Sequence, residues 1–225
     1  MPVDRSRLPD VSDDIAFTFP RIAHHRLPSG LAVRTIEHHS APIVTFVLVI
    51  EGGSAGDPAG REGLVAMTAD MIDEGTGAMS ALDVSDAIAR LGADYDVDVG
   101  ADATFISFTT LTRFADRGAA LLSDIVSRPS LRGPDFDRVK QLRLDRLRQM
   151  KDLAPAIAER AFLRLLYGAH PYGHLAIGAE DTLSAITLDE VKKAAKTWLS
   201  REPIVVLATP KAAIALNDPV SLPAP

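Results

Sequence analysis

The stretch "LPSGLAVRTIEHHSAPIVTFVLVIEGGSAGDPAGREGL", residues 27–64, decides the fold of this chain. A Pro-Ser-Gly turn opens it, and the apolar–polar alternation over residues 31–36 predicts a half-buried strand. Residues 43–51 are rich in β-branched apolar side chains and predict a second, more buried strand. A glycine-rich loop then leads into apolar residues at helical spacing, which predict a helix that begins at Leu64 and that Gly75 ends.

The elements downstream complete an α+β pattern. Ser80 is in position to cap a helix that Gly92 ends, and two alternating runs over residues 94–112 predict a β-hairpin. Four more helices and a last strand are predicted over residues 114–127, 135–150, 155–166, 188–199 and 203–210. This order predicts a mainly antiparallel sheet with helices packed on one face.

The chain is predicted to hold a single domain over residues 21–210. Residues 1–20 are polar, carry three prolines and show no hydrophobic period, so they are predicted to form an N-terminal extension. Residues 211–225 are rich in proline and predict a tail, or a linker to a second half that the sequence does not contain.

Composition and charge exclude several classes of function. The chain has 24 Lys and Arg against 30 Asp and Glu and no basic tract interleaved with aromatic residues, so we expect no nucleic-acid partner. The longest apolar run, residues 41–50, is too short to span a membrane, so we expect no membrane partner. Cysteine is absent, which excludes disulfides and thiolate zinc ligands. The sequence as given predicts a cytoplasmic protein, or a periplasmic one if a signal peptide was removed.

Two stretches carry a resemblance to a known family: residues 27–64 and "FDRVKQLRLDRLRQMKDLAPAIAERAFLRLLYGAHPYGHLAIG", residues 136–178. In order and spacing they resemble the strand pair, glycine-rich loop, helix pair and H-P-Y-G loop of peptidase family M16, which includes insulinase, pitrilysin and the mitochondrial processing peptidase. The resemblance spans residues 20–210 and implies an M16/LuxS-like metallohydrolase half-domain of the α+β class. Active members carry an H-x-x-E-H zinc motif on the first helix.

The resemblance implies a degenerate zinc site in "GLVAMTADMIDEGTG", residues 63–77. With the flanking Gly-Leu and Gly-Thr matched to the family, the first histidine falls on Ala66, the general base on Ala69 and the second histidine on Asp70. The third ligand, from a later helix, falls on Arg146. Two methyl groups, one carboxylate and a guanidinium do not make a catalytic zinc site. We therefore expect no metal, no cofactor and no catalytic residue in this chain.

The positions of Asp70 and Arg146 converge on one ion in active relatives, so we predict that the two side chains form an ion pair here. The alternative is that both side chains are solvated separately. Asp73 and Glu74 follow Asp70 at helical spacing and add an acidic strip. The sequence leaves open whether this strip binds Arg146, repels it or is simply solvated.

The six histidines offer no second metal site by their spacing. The pairs at residues 24–25 and 38–39 flank the first predicted strand, and neighbours on a strand point to opposite faces, so we expect surface or capping roles. In "HPYGH", residues 170–174, proline and glycine predict a loop in place of the helix that an i, i+4 metal pair needs. Tyr172 in that loop is expected to pack and to form a hydrogen bond.

These features indicate a non-catalytic M16-like half-domain. The resemblance implies that such a half forms part of a peptide-binding chamber and supports an M16-type catalytic subunit or second half-domain in a hetero-oligomer. It also implies that peptide binds by adding a strand to a sheet edge. One alternative is a stand-alone homodimeric peptide-binding module. Another is an active zinc metalloendopeptidase with a relocated metal.

Overall fold

The computed structural model describes residues 18–201 and 203–210. The strands in this part of the chain are β1 (Ile22–Arg26), β2 (Ala32–Glu37), β3 (Ile43–Glu51), β4 (Gly75–Thr76), β5 (Met79–Ser80), β6 (Asp94–Val99), β7 (Ala103–Leu111) and β8 (Ile204–Thr209). The helices are α1 (Leu64–Asp70), α2 (Ala81–Arg90), α3 (Ala115–Ser127), α4 (Gly133–Met150), α5 (Ala154–Tyr167), α6 (Glu180–Ala185) and α7 (Leu188–Leu199).

Six of the strands form one sheet in the order β1-β2-β8-β3-β7-β6. Neighbouring strands are antiparallel except β2 and β8, which are parallel. The short strands β4 and β5 form a separate two-stranded ribbon. The predicted α+β fold with a mainly antiparallel sheet is confirmed, and the C-terminal strand β8 lies between β2 and β3 within the sheet.

One face of the sheet is buried under helices. Residues alternate along β3 and β7 so that Phe46, Leu48, Ile106 and Phe108 lie in the core. Helix α3 packs on this face so closely that a Cβ added to Gly118 would lie 2.8 Å from Phe108 Cε1. The opposite face of the same strands is half-exposed.

A second apolar core holds α1, α4, α6 and α7 together. Met67 of α1, Val139 of α4, Leu183 of α6 and Val191 of α7 are all buried in it. This core fixes α1 against α4. The contact between these two helices sets the geometry of the candidate site.

Several element bounds differ from the sequence expectations. Helix α1 ends at Asp70 and not near Gly75, because the N–H groups of Met71 and Ile72 bond to carbonyls only three residues back. Residues 22–26, which hold the first histidine pair, form strand β1, where the sequence analysis placed no strand. This strand is mostly exposed and so lacks the apolar alternation that identifies a half-buried strand. Helix α6 and the β4–β5 ribbon are too short to show a period and were not predicted.

The predicted tail, residues 211–225, and most of the predicted N-terminal extension lie outside the described residues. The domain boundaries drawn from the sequence therefore stay a prediction. No helix within residues 18–201 and 203–210 is long and apolar enough to cross a membrane.

Candidate functional site

The N-terminus of α1 is held by Asp57, which lies in the glycine-rich loop. Its Oδ2 accepts a hydrogen bond of 2.7 Å from Gly63 N–H, and its Oδ1 accepts one of 2.8 Å from Val65 N–H. Gly63 has a φ of 100°, which favours glycine, and a Cβ there would lie 3.0 Å from Ile177 O. Burial raises the pKa of Asp57, while the two hydrogen bonds lower it. The loop is therefore a scaffold that positions α1.

The two positions that the resemblance assigns to the first histidine and the general base are buried in the packed interior. Ala66 is 3% exposed and Ala69 is 1% exposed. Their methyl groups have no lone pair to offer a metal or a proton. Their assignment as degenerate zinc-site positions stays a prediction from the resemblance.

The ion pair at the candidate site joins Asp70 to Arg143, which corrects the predicted pair of Asp70 with Arg146. Arg143 Nε donates a hydrogen bond of 2.6 Å to Asp70 Oδ2. The Arg143 side chain is 12% exposed, so the pair is partly removed from water. Arg146 is exposed, lines the same cleft and has no ion-pair partner within 4.0 Å among the described residues.

Arg143 and not Arg146 reaches Asp70 for a geometric reason. Val139, Arg143 and Arg146 lie along one face of α4 at helical spacing, with Val139 buried in the core. The resemblance indicates which face of α4 meets α1, but it does not fix how far α4 is displaced along its own axis. An axial displacement of three residues, roughly 4.5 Å, exchanges one arginine for the other. The arginine one turn before Arg146 was the sequence signal that could have suggested this partner.

The acidic strip after α1 divides into a paired and an unpaired carboxylate. Glu74 accepts a hydrogen bond from Arg138 of α4. Asp73 has no ion-pair partner within 4.0 Å among the described residues. Burial, together with the charges of Glu74 and Asp70, raises the pKa of Asp73 from 3.8 to about 6. At neutral pH the ionised carboxylate of Asp73 therefore destabilises the folded state.

A cleft of about 390 Å³ lies between the end of α1, α4 and β6. Asp70, Asp73, Arg143 and Arg146 line it together with Tyr95 of β6. Two polar atoms in its wall, Tyr95 Oη and Arg143 Nη1, are buried and have no hydrogen-bond partner among the described residues. Burial raises the pKa of Tyr95 well above its usual value, and the charges of Asp73 and Asp70 act in the same direction. The phenol is therefore protonated at neutral pH and free to donate a hydrogen bond.

The residues at this site do not fit a zinc ion. Two of the four assigned positions are alanines, and the single carboxylate, on Asp70, is already paired with a guanidinium. The fixed positive charge of Arg143 beside that carboxylate disfavours a divalent cation. Among the residues that the structure describes, no group of three or more His, Asp or Glu is placed to hold a metal ion elsewhere.

The H-P-Y-G loop packs against the β6–β7 hairpin. Residues 171–173 form a short 3-10 turn, and Tyr172 Oη lies 2.7 Å and 2.8 Å from the two carboxylate oxygens of Asp102, to which it donates. The rings of Tyr167 and His170 meet the ring of Tyr172 edge-on. The expected packing and hydrogen-bonding role of Tyr172 is confirmed.

All four histidines of the two N-terminal pairs are exposed, and each contacts one nearby polar side chain. The contacts are His24 with Arg34, His25 with Thr35, His38 with Ser40 and His39 with Glu37. These contacts match the surface roles expected from the sequence.

Comparison with known proteins gives the family. The sequence model of the insulinase family, peptidase family M16, matches residues 32–179. The chain is similar to the non-peptidase homolog YmxG of Helicobacter pylori, with 23% identity over 172 residues, which are 76% of this chain and 40% of that protein.

Two solved structures share the fold. A peptidase M16 inactive domain from Pseudomonas fluorescens has a TM-score of 0.77 at 21% identity and covers 85% of this chain, which spans 47% of that one. A protease from Helicobacter pylori has a TM-score of 0.78 at 18% identity, with 87% of this chain and 48% of that chain covered. The chain thus spans less than half the length of these proteins. Because the family match covers more than half of the chain, this protein belongs to the insulinase family, peptidase family M16, and has the fold of an M16 half-domain.

Proposed function

We propose that this chain is a non-catalytic half of an M16 peptidase assembly, which lines a peptide-binding chamber and supports a zinc-dependent catalytic partner or second half-domain. The observation that carries the proposal is the ion pair between Asp70 and Arg143, at the position where the resemblance expects a zinc-binding histidine. Hydrolysis in this family needs a metal-bound water and a general base. The residues at this site supply neither.

Helix α5 supports the assembly part of the proposal. None of its residues is buried, although large apolar side chains lie along it. The exposed ones are Ile157, Phe162, Leu165, Leu166 and Tyr167. Exposed apolar surface of this kind marks a protein interaction site, and burying it yields roughly 25 cal/mol per Å². We infer that α5 packs against the partner half.

Strand β6 supports the peptide-binding part of the proposal. It is the last strand of the sheet, so its outer edge has no strand partner among the described residues. Backbone N–H and C=O groups on such an edge can pair with an extended peptide. A peptide added there passes the cleft that holds Asp70 and Arg143.

The test combines the purified chain, made without a histidine tag, with an M16 subunit that carries H-x-x-E-H. We expect the chain alone to contain less than stoichiometric zinc and to show no chelator-sensitive cleavage of fluorogenic peptides. With the partner we expect a one-to-one complex by size exclusion with light scattering, and faster cleavage than by the partner alone. Stoichiometric zinc and chelator-sensitive cleavage by the chain alone would overturn the proposal.

A stand-alone homodimer that captures peptides is the second candidate. The exposed apolar side chains of α5 favour it as well, because the same surface on two copies can self-associate. The light-scattering measurement separates the two candidates. A stable mass of two chains that the catalytic subunit leaves unchanged, with peptide affinity retained, identifies the homodimer.

A further inference from the structure

A groove of about 440 Å³, which we call the α4–α5 groove, opens on the surface between the C-terminal end of α4 and one face of α5. Ile157 of α5 is 53% exposed in it, and no residue of α5 is buried. The groove therefore presents apolar surface that no element within residues 18–201 and 203–210 covers. Its apolar lining consists of Leu147, Met150, Ala156, Ile157 and Ala161.

Helical spacing extends this apolar surface along α5. Ile157, Ala161 and Leu165 follow one another at intervals of four residues, so their side chains form a stripe on one face of the helix. Leu165, one turn beyond the groove, is 87% exposed. A stripe with this spacing is the pattern by which one helix packs against another. The surface that α4 and α5 leave open therefore fits a third helix.

Arginines follow one flank of the stripe. Arg160 and Arg164 lie one turn apart on α5 and line the groove, and neither has an ion-pair partner within 4.0 Å among the described residues. Of the described residues that line the groove, one carries a carboxylate, Glu180, which already binds Lys151 and Arg148. The guanidinium groups of Arg160 and Arg164 therefore still lack a counter-charge at this surface.

A second copy that docks through its own α5 does not supply that counter-charge. In an antiparallel two-fold pair of helices, each flank meets the same flank of the other copy, so Arg160 and Arg164 would lie beside arginines. In a parallel two-fold pair, the basic flank would meet the opposite flank, which carries Ala158 and Phe162. Neither arrangement brings a carboxylate to the guanidinium groups. The charge pattern thus favours a different chain over a second copy.

We propose that the α4–α5 groove binds an amphipathic helix of the partner half, with its apolar face on the stripe and Asp or Glu along the flank that meets Arg160 and Arg164. This inference rests on the proposed assembly function and adds the chemistry of the partner surface. Burial of the apolar stripe stabilises the contact. The acidic residues orient the helix, because only one flank of the stripe is basic. Arginine suits this contact because its planar guanidinium can bind a carboxylate through two hydrogen bonds.

The experiment measures the binding of three labelled peptides to the 225-residue chain by fluorescence anisotropy. Two are amphipathic helices with leucine along one face, one with glutamate and the other with lysine on one flank of that face. The third has the composition of the glutamate helix in an order without an apolar face. We expect the glutamate helix to bind at least about tenfold more tightly than the lysine helix, because lysines beside the two arginines oppose docking.

Two further measurements separate the apolar contribution from the charge contribution. We expect the third peptide to bind at least about tenfold more weakly than the glutamate helix, because it has no face to bury on the stripe. We expect added salt to narrow the difference between the glutamate and lysine helices, because salt screens the charges at the rim of the groove.

A matched pair of charge-reversal variants locates the binding. Arg160→Glu with Arg164→Glu reverses the charge in the groove, and Lys192→Glu with Lys193→Glu makes the same change at exposed positions of α7. We expect the groove variant to bind the glutamate helix at least about tenfold more weakly and the lysine helix more tightly. The control is expected to change either affinity by less than about twofold. A gain for the lysine helix is a result that misfolding cannot produce.

The outcomes separate this inference from the function on which it rests. Equal affinity for the glutamate and lysine helices, equal losses in the two double variants, or no binding of any peptide overturns the inference. So does self-association of the chain that the glutamate helix does not displace, which identifies a second copy as the occupant. The assembly function is decided separately, by whether the chain forms a complex with the H-x-x-E-H subunit.

Discussion

Arg143 Nε lies 2.6 Å from Asp70 Oδ2, and this ion pair joins the last residue of α1 to the middle of α4. These are the two helices from which the resemblance draws the zinc ligands. We propose that this direct bond between the helices takes the place of the metal ion that the resemblance assigns to active relatives. The pair links them without any group that activates water.

The first prediction concerns the stability of this pair. Arg143→Leu is expected to lower the free energy of unfolding by about 1–2 kcal/mol, because Asp70 loses its hydrogen-bond partner in a partly desolvated position. Arg146→Leu is the matched control on the same face of α4 and is expected to change it by less than about 0.5 kcal/mol. Urea unfolding of both variants measures the difference, and equal losses would contradict the assigned partner.

The second prediction concerns pH. Since the folded-state pKa of Asp73 is about 6 and its reference value is 3.8, the ionised carboxylate destabilises the fold above pH 6, and this cost fades as the pH falls from 6 towards 4. Asp73→Asn is expected to raise the free energy of unfolding by about 1–3 kcal/mol at pH 7 and by much less at pH 4. Urea midpoints across this range measure the effect, with exposed Asp137→Asn as control. A difference from wild type that stays constant between pH 4 and pH 7 would count against it.

The third prediction concerns helix α5. Leu165 is 87% exposed, so Leu165→Asp is expected to change the stability of the isolated chain by less than about 0.5 kcal/mol. It is expected to weaken assembly with the partner half at least about tenfold, because a carboxylate would be buried in the contact. The control is Leu82→Asp on α2, where the leucine is 72% exposed. Assembly is measured by light scattering, and equal assembly of the two variants would exclude α5 as the contact.

The fourth prediction concerns the support of α1. Gly178 has a φ of +79°, and a Cβ there would lie 2.1 Å from Glu62 O, just before α1 begins. Gly178→Ala is therefore expected to cost about 3 kcal/mol or more in the free energy of unfolding. Gly92→Ala, at a φ of +55° with nothing within 4 Å of the added Cβ, is expected to cost about 1 kcal/mol. Thermal unfolding of both variants tests whether the close approach matters; similar costs would show that only the backbone conformation does.

Sequence patterns predicted the parts of the fold that have a regular local period. The apolar run of residues 43–51 became β3 with the same bounds, and the alternating runs after Gly92 became β6 and β7. Elements without such a period were missed, as with the exposed strand β1 and the short helix α6. Exposure and shortness remove the signal because only a buried stripe imposes a period on residue types.

The sequence by itself determined the family, the order of most elements and the residue types at the positions that the resemblance assigns to a zinc site, because these depend on local periodicity and on which side chains are present. Only the tertiary structure decided that Arg143 reaches Asp70, that β8 lies between β2 and β3, and that the buried Tyr95 Oη lacks a partner among the described residues. These features depend on the axial and lateral placement of elements far apart in the chain. Packing of the two apolar cores sets that placement, and no local pattern in the sequence records it.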